Sequence, residues 1–258
     1  MYDFYQIISA HLSGGSTRGI ARAFSLNRAT TKWLWKRFQA GDGIPKQRLG
    51  PRSYKQLLDT EEKRCQYSLL LGMYLGDGCL AKTGRKTGEV HTLILVSDET
   101  QDLVVRAAES AMMAIFPDNV VSVSPKIGAR AYNVKVSSIN LVELFPQHGP
   151  GLKSKRRLIM KKWQWDIIIK YPWQFVRGLF LTDGSRYVSS ADDCAKWSFG
   201  NKSPEIINFL RYALNLVGVN YGICNDYQGM FRFWIKKCDV PTMDLMVGHK
   251  STYQALRT

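Results

Sequence analysis

Two aspartates far apart in the chain, Asp77 and Asp183, stand in matching surroundings. The first closes LLGMYLGDG, Leu70 to Gly78, and the second closes VRGLFLTDG, Val176 to Gly184. Each stretch is apolar, carries glycine at its third position and ends in Asp-Gly. The duplication puts two carboxylates at equivalent ends of two similar helices. If those helices pack side by side, the acids meet. A carboxylate at a helix C-terminus opposes the helix dipole, and a second one beside it adds like-charge repulsion. A bound cation offsets both effects. In a basic chain, such a pair suggests divalent-metal chemistry on a phosphodiester.

The helices that must carry these acids have a feature that allows close contact. Gly72 and Gly76 are four residues apart, and Gly178 and Thr182 are their counterparts. Small residues at that spacing form a flat stripe on one helix face. Two such stripes let backbones approach closely, the steric part of a rule drawn from membrane helices.

The 258 residues suffice for one large domain or two to three small ones, and 45% are hydrophobic, enough for a core. A formal charge of +15 favours a polyanionic partner, nucleic acid first and an anionic membrane surface second. No run of eighteen apolar residues is present, so no membrane span is expected. The start, MYDFYQIISAHLSGG, has no basic segment leading into an apolar core, so a signal peptide is not expected either. The five cysteines (Cys65, Cys79, Cys194, Cys224, Cys238) form no C-x-x-C pair, which argues against structural zinc and for a reducing cytoplasm.

Around each motif the chain repeats itself. An extended segment follows, HTLILVSD (His91 to Asp98) or AKWSFGNK (Ala195 to Lys202). An amphipathic helix comes next. Leu103, Val104, Ala107, Ala108, Ala111 and Met112 recur at helical spacing in one copy, and Ile206, Ile207, Leu210, Leu214 and Val217 in the other. Two short strands close each copy, VVSVSPK with AYNVKVSS and NYGICND with MFRFWIKK, then a last helix. Phe145 to Arg157 joins the copies and reads as a basic loop. His148 in it reads as a turn or packing residue before a ligand or base. The domains expected are 1–45, a helix-turn-helix DNA-binding module; 46–62, a linker rich in Gly, Pro and cations; 63–150, the first repeat; and 151–258, the second.

The two motifs and the order of elements resemble the LAGLIDADG homing endonucleases in their single-chain, two-motif form, over about residues 63 to 250. The loop LFPQHGPGLK, FVRGLFLTDGSRY and the N-terminal module together are also similar to a group of freestanding actinobacterial-type proteins. The resemblance implies an α+β fold: two pseudo-symmetric αββαββα repeats plus an N-terminal all-α helix-turn-helix. It implies that each repeat supplies a curved sheet for the DNA major groove, that the motif helices form the repeat interface, and that the chain is a monomer. It implies Asp77 and Asp183 as ligands of Mg2+ (or Mn2+), with the carbonyls of Gly76 and Thr182 beside them. A basic residue on a late strand of each repeat is implied near the metals. Lys135 fits in the first repeat; in the second, the aligned position is Trp234, with Lys236 two residues on and on the same strand face. The sixth motif position, often acidic in that family, is Leu75 and Leu181 here.

Gly15 to Phe38 fits two helices joined by a short turn. Ser16 or Thr17 caps the first and Asn27 the second. Ile20, Ala21, Phe24, Leu26, Thr31 and Leu34 fall inward, and Ser25 stands where glycine is common. The second helix then presents Arg28, Thr30, Lys32, Lys36 and Arg37 to DNA, its first turn towards bases and the later cations towards phosphates. In the repeats, Lys82, Arg85 and Lys86 of the basic loop GCLAKTGRKTGE, together with Lys126, Arg130, Arg186 and Arg232, are candidates for DNA-backbone contact. The expected function is a site-specific, double-stranded DNA endonuclease. The alternative is a non-cleaving DNA-binding transcriptional regulator on the same scaffold.

Overall fold

The computed structural model of the chain describes residues 4–39, 52–83, 90–190, 193–225 and 229–251. They fall into two compact units, Met1–Gly50 and Pro51–Thr258. Arg85 and Lys86 lie outside the described residues, as does the side chain of Arg37.

The first unit holds α1 (Phe4–Leu12), α2 (Thr17–Ala23) and α3 (Arg28–Gln39) around buried Ile7, Ile20 and Leu34. Ser16 is the cap of α2: its hydroxyl accepts from the Gly19 amide at 3.1 Å. Asn27 accepts from the Ala29 amide at 2.8 Å at the start of α3. Buried Thr31 satisfies its hydroxyl on the Asn27 carbonyl. Ser25, between the helices, takes φ +52°, the left-handed conformation glycine adopts at least cost. Arg28, Lys32 and Lys36 are exposed on α3, and Thr30 is half-buried.

The second unit begins earlier than expected. The stretch 46–62 reads as linker, yet within it α4 (Tyr54–Leu57) forms, and Leu57 and Leu58 sink into the main core. The Arg52 amide also donates to the Asn140 side chain at 2.7 Å. Two apolar residues among many polar ones show no periodicity in sequence, but their burial is enough to dock the segment.

Then come α5 (Glu61–Leu75), β1 (Cys79–Lys82), β2 (His91–Asp98), α6 (Asp102–Ile115), β3 (Val121–Pro125), β4 (Ala131–Ser138) and α7 (Leu141–Leu144). A second series follows: α8 (Lys162–Lys170), α9 (Pro172–Asp183), β5 (Gly184–Ser189), β6 (Cys194–Asn201), α10 (Pro204–Leu216), β7 (Tyr221–Asn225), β8 (Phe231–Ile235) and α11 (Val240–Met246). Each series makes one antiparallel four-stranded sheet, in the orders β1-β2-β4-β3 and β5-β6-β8-β7. This is a two-repeat α+β fold. The registers match too: Cys79, Ile94, Lys135 and Ser122 form a row across the first sheet, and Ser185, Ser198, Trp234 and Gly222 the equivalent row across the second.

Period-2 alternation decides the two faces of each sheet. Leu93, Leu95, Val134 and Val136 are buried on one side of the first, and Trp197, Phe199, Phe233 and Ile235 in the second. Helices α6 and α10 cover those faces with the residues their spacing marks, among them Val104, Ala108, Ala111 and Met112, and Ile206, Ile207, Leu210 and Leu214. On the opposite faces most of the described residues, among them Ile94, Lys135, Lys196, Arg232 and Trp234, are half-buried or exposed. Strand β1 occupies the start of the stretch expected as a basic loop; four residues at a sheet edge, CLAK, are too few to show a pattern. Helix α5 is buried on all sides from Tyr67 to Leu75, as befits a helix with packing partners all round.

Candidate active site

The motif helices touch backbone to backbone. A methyl group built on Gly178 would lie 2.2 Å from the Leu69 carbonyl oxygen, and one on Gly72 would lie 2.5 Å from that of Phe175. At the helix ends, a Cβ on Gly76 would collide with Thr182, and the carboxyl carbon of Asp183 lies 3.4 Å from the same point. The small stripes therefore face each other, and the residues before Asp77 and Asp183 are in contact. The two acids are brought to one place.

Their protonation shows the strain of that meeting. Burial first, and the charge of Asp77 after it, push Asp183 up to about 6. Burial also raises Asp77. Asn201, at the end of β6, donates to the Asp183 carboxylate at 2.6 Å and opposes the shift.

Two lysines absent from the sequence-based candidates complete the site. The Lys153 ammonium donates to the carbonyls of Tyr74, Leu75 (3.0 Å) and Gly76 (2.6 Å), the free carbonyls at the end of α5. Lys250 does the same for α9, donating to Thr182 (3.2 Å) and Gly184. Burial lowers Lys153 to about 8, against the upward pull of Asp183 and Asp77. Lys250 is lowered by the same cause. Arg156 arranges the loop that carries Lys153: its guanidinium donates to the carbonyls of Gly149, Pro150, Gly151 and Gln147. A Leu-Lys-Ser in a basic loop and a His-Lys-Ser late in the second repeat are weak signals by themselves; only their shared place after the last helix of each repeat would have marked them.

The other expected residues divide. Lys135 stands half-buried on the open face of the first sheet, in the row of Cys79, two residues after Asp77. Trp234 holds that place in the second sheet, as aligned, and Lys236 lies one residue beyond the end of β8, exposed. The carbonyls of Gly76 and Thr182 adjoin the acids but accept from Lys153 and Lys250. Lys82 and Lys126 are exposed, and Arg232 is exposed on the open face of β8. Arg130 pairs with Glu99 at 2.5 Å. Arg186 corrects the expectation of a DNA contact. It points to the covered side of its sheet and is clamped at 2.7 and 2.9 Å by Asp244, which also accepts from the Trp197 indole. His148 packs edge-on against His91, ring centres 5.2 Å apart.

The part of the site that fits a hard divalent cation is the pair of carboxylates, brought together and raised in pKa; the carbonyls of Gly76 and Thr182 are engaged by the two lysines. The raised carboxylate has a direct consequence. An unfolded aspartate titrates near 3.9, so between about pH 4 and pH 6 the native protein holds the extra proton. Metal-free stability therefore falls as pH rises through that window and is lowest above it. Asp183→Asn should raise the melting temperature at pH 7 without divalent metal, by roughly 2–4 °C per kcal/mol relieved, and the gain should vanish by about pH 4. Thermal denaturation with a chelator checks it; a variant that melts no higher than wild type at pH 7 removes the strained-pair interpretation.

The geometry is that of a two-repeat LAGLIDADG fold, and comparison with known proteins agrees on the fold. Residues 171–235 match the family model described as LAGLIDADG-like domain. No curated protein matches the chain. A variant of the homing endonuclease I-DmoI, solved with nicked target DNA and Mn, is similar over 73% of this chain and 98% of its own, at 17% identity and TM-score 0.53. I-DmoI in complex with DNA and Ca is similar over 76% of this chain and 99% of its own, at 17% identity and TM-score 0.51. The N-terminal LAGLIDADG domain of WhiA gives TM-score 0.49 at 15% identity, over 80% of this chain and 98% of its own. The chain has the LAGLIDADG fold. Among the described residues no helix is long and apolar enough to cross a membrane.

Proposed function

We propose that this chain is a site-specific, Mg2+-dependent (or Mn2+-dependent) double-stranded DNA endonuclease that works as a monomer, with Asp77 and Asp183 as its metal ligands. The observation that carries this reading is the meeting of the two carboxylates at the abutting ends of α5 and α9, each helix end capped by a lysine. The solved relatives in complex with target DNA, and the charge of +15, support the DNA partner.

A bound divalent cation supplies Lewis acidity to the phosphate and activates the attacking water. The protein does the rest. Asp77 and Asp183 would hold the cation. Lys153 and Lys250 put positive charge beside it and lower the cost of bringing a phosphate to two acids. Lys135, Lys126 and Arg232 on the repeats, and Arg28, Lys32 and Lys36 on α3, contact the DNA backbone or bases. Incubating the protein with a randomised duplex library and Mg2+, then sequencing the ends produced, tests the reading. Tight binding to one site with no cutting under any divalent metal would instead favour a regulator.

The lysine carries its own expectation. Because burial lowers Lys153 to about 8 in the metal-free site, cleavage should decline as pH rises into the alkaline range. Lys153→Met should lower the rate by roughly 10²-fold or more and remove that alkaline limb. Lys153→Arg keeps the charge, so it should retain more activity and shift the limb upward. A pH–rate profile unchanged in all three proteins would show that Lys153 only caps α5.

The N-terminal unit is proposed as a second DNA-binding surface. Deleting residues 1–45 should weaken DNA binding and reduce its salt dependence, with the log–log slope falling by about 0.9 for each phosphate that the unit neutralises. Binding titrations at several salt concentrations measure this, and an unchanged slope would place the unit off the DNA.

A further inference from the structure

The open faces of the two sheets are not alike, although their strands match in order and register. On the second sheet, Tyr187, Lys196, Trp234, Lys236 and Lys237 line a cavity of about 400 Å³. The first sheet has Ala81, Thr92, Lys135 and Ser137 at the positions equivalent to Tyr187, Lys196, Trp234 and Lys236. Two aromatic rings and three lysines thus line one cavity on the second sheet, and the described residues of the first sheet have no such set at the equivalent positions.

Both rings are held outward. Tyr187 is 45% exposed and Trp234 41% exposed. The Trp234 indole rests on the bare backbone of Gly222, where a Cβ would lie 2.1 Å from the ring. That support fixes the indole from beneath and leaves it presented on the open face. Strand alternation puts both rings on the side of the sheet opposite the buried Trp197, Phe199 and Phe233.

What such a pocket can recognise follows from duplex geometry. An intact B-form duplex shows proteins the edges of its bases, as donors, acceptors and the thymine methyl. The faces of the bases are hidden in the stack. An aromatic ring gains most from a base face, and lysines beside it suit the flanking phosphates. The cavity also falls within the roughly 300–1,000 Å³ of small-ligand pockets. We infer that the Tyr187–Trp234 cavity is a binding site for an unstacked nucleobase of the DNA, on the half-site read by the second repeat.

This inference rests on the DNA-binding reading above, and its test separates the two. A base leaves the stack at least cost where it is mispaired. Once a binding duplex has been selected, single mismatches are placed at every position and affinities of the full-length chain are measured in Ca2+. At one position in one half-site, a mismatch should tighten binding by roughly tenfold. Trp234→Ala should abolish that gain while leaving affinity for the matched duplex within about threefold, and Trp234→Phe should keep most of it. Thermal melts of the variants confirm that they fold; if Trp234→Ala does not, Tyr187→Ala serves in its place. A matched duplex that binds, with no mismatch binding tighter, overturns the base pocket and leaves the DNA reading standing. A gain that survives both Trp234→Ala and Tyr187→Ala also overturns it. Failure of every duplex to bind overturns both.

Discussion

Asp77→Asn and Asp183→Asn should each abolish cleavage and spare DNA binding. Each replaces a proposed charged ligand with a neutral amide of nearly the same shape, at a place where burial and mutual repulsion make a cation the natural counter-charge. Charge stabilisation by a catalytic metal amounts to several kcal/mol, so losing it lowers the rate by roughly 10³-fold or more. The sheets and the basic residues are untouched, so affinity for a selected target in Ca2+ should stay within about threefold or rise, since an anion facing phosphate is gone. Nicking and double-strand cutting in Mg2+ are measured beside that titration. If either variant cuts at the wild-type rate, the carboxylate pair is structural.

The second large effect lies in the helix interface. Gly178→Ala should lower the melting temperature by roughly 6–12 °C, corresponding to about 3 kcal/mol. Its new methyl would stand 2.2 Å from the Leu69 carbonyl and 2.9 Å from the Met73 amide, both backbone atoms. Neither can move unless α5 and α9 separate. Gly149→Ala is the control, because its methyl meets only the Arg156 side chain at 3.7 Å. Cleavage should fall with Gly178→Ala as well, since parting the helices parts the acids. Equal melting temperatures for the two variants would mean that the helices do not need this close approach.

These two results concern residues that are visible in the sequence, and the reason is local. A glycine stripe, an apolar helix and an Asp-Gly end are written in consecutive residues, and their duplication announces a pair. The faces of α6 and α10 and the caps Ser16 and Asn27 are legible on the same ground, because helix period and capping depend on neighbours within a turn. Side-chain direction on short edge strands is not. Arg186 reads as a basic residue after a motif, yet the register of β5 turns it to the covered face, where Asp244 takes it. Leu57 and Leu58 read as linker until a core exists to receive them.

The sequence by itself determined that two repeats would bring Asp77 and Asp183 together, because the elements that carry the acids also carry the stripe that pairs them. Only the tertiary structure decided which cations stand beside the acids. Lys153, in a single 3-10 turn of the segment that joins the repeats, and Lys250, beyond the last helix, have no periodicity to mark them, and reach the helix ends only when the chain folds back on each motif. It also decided that the open faces differ, one with Lys135 and the other with Trp234 above Gly222. Contacts set by strand pairing and chain reversal depend on which distant residues the core brings close, and a single stretch of sequence does not contain that information.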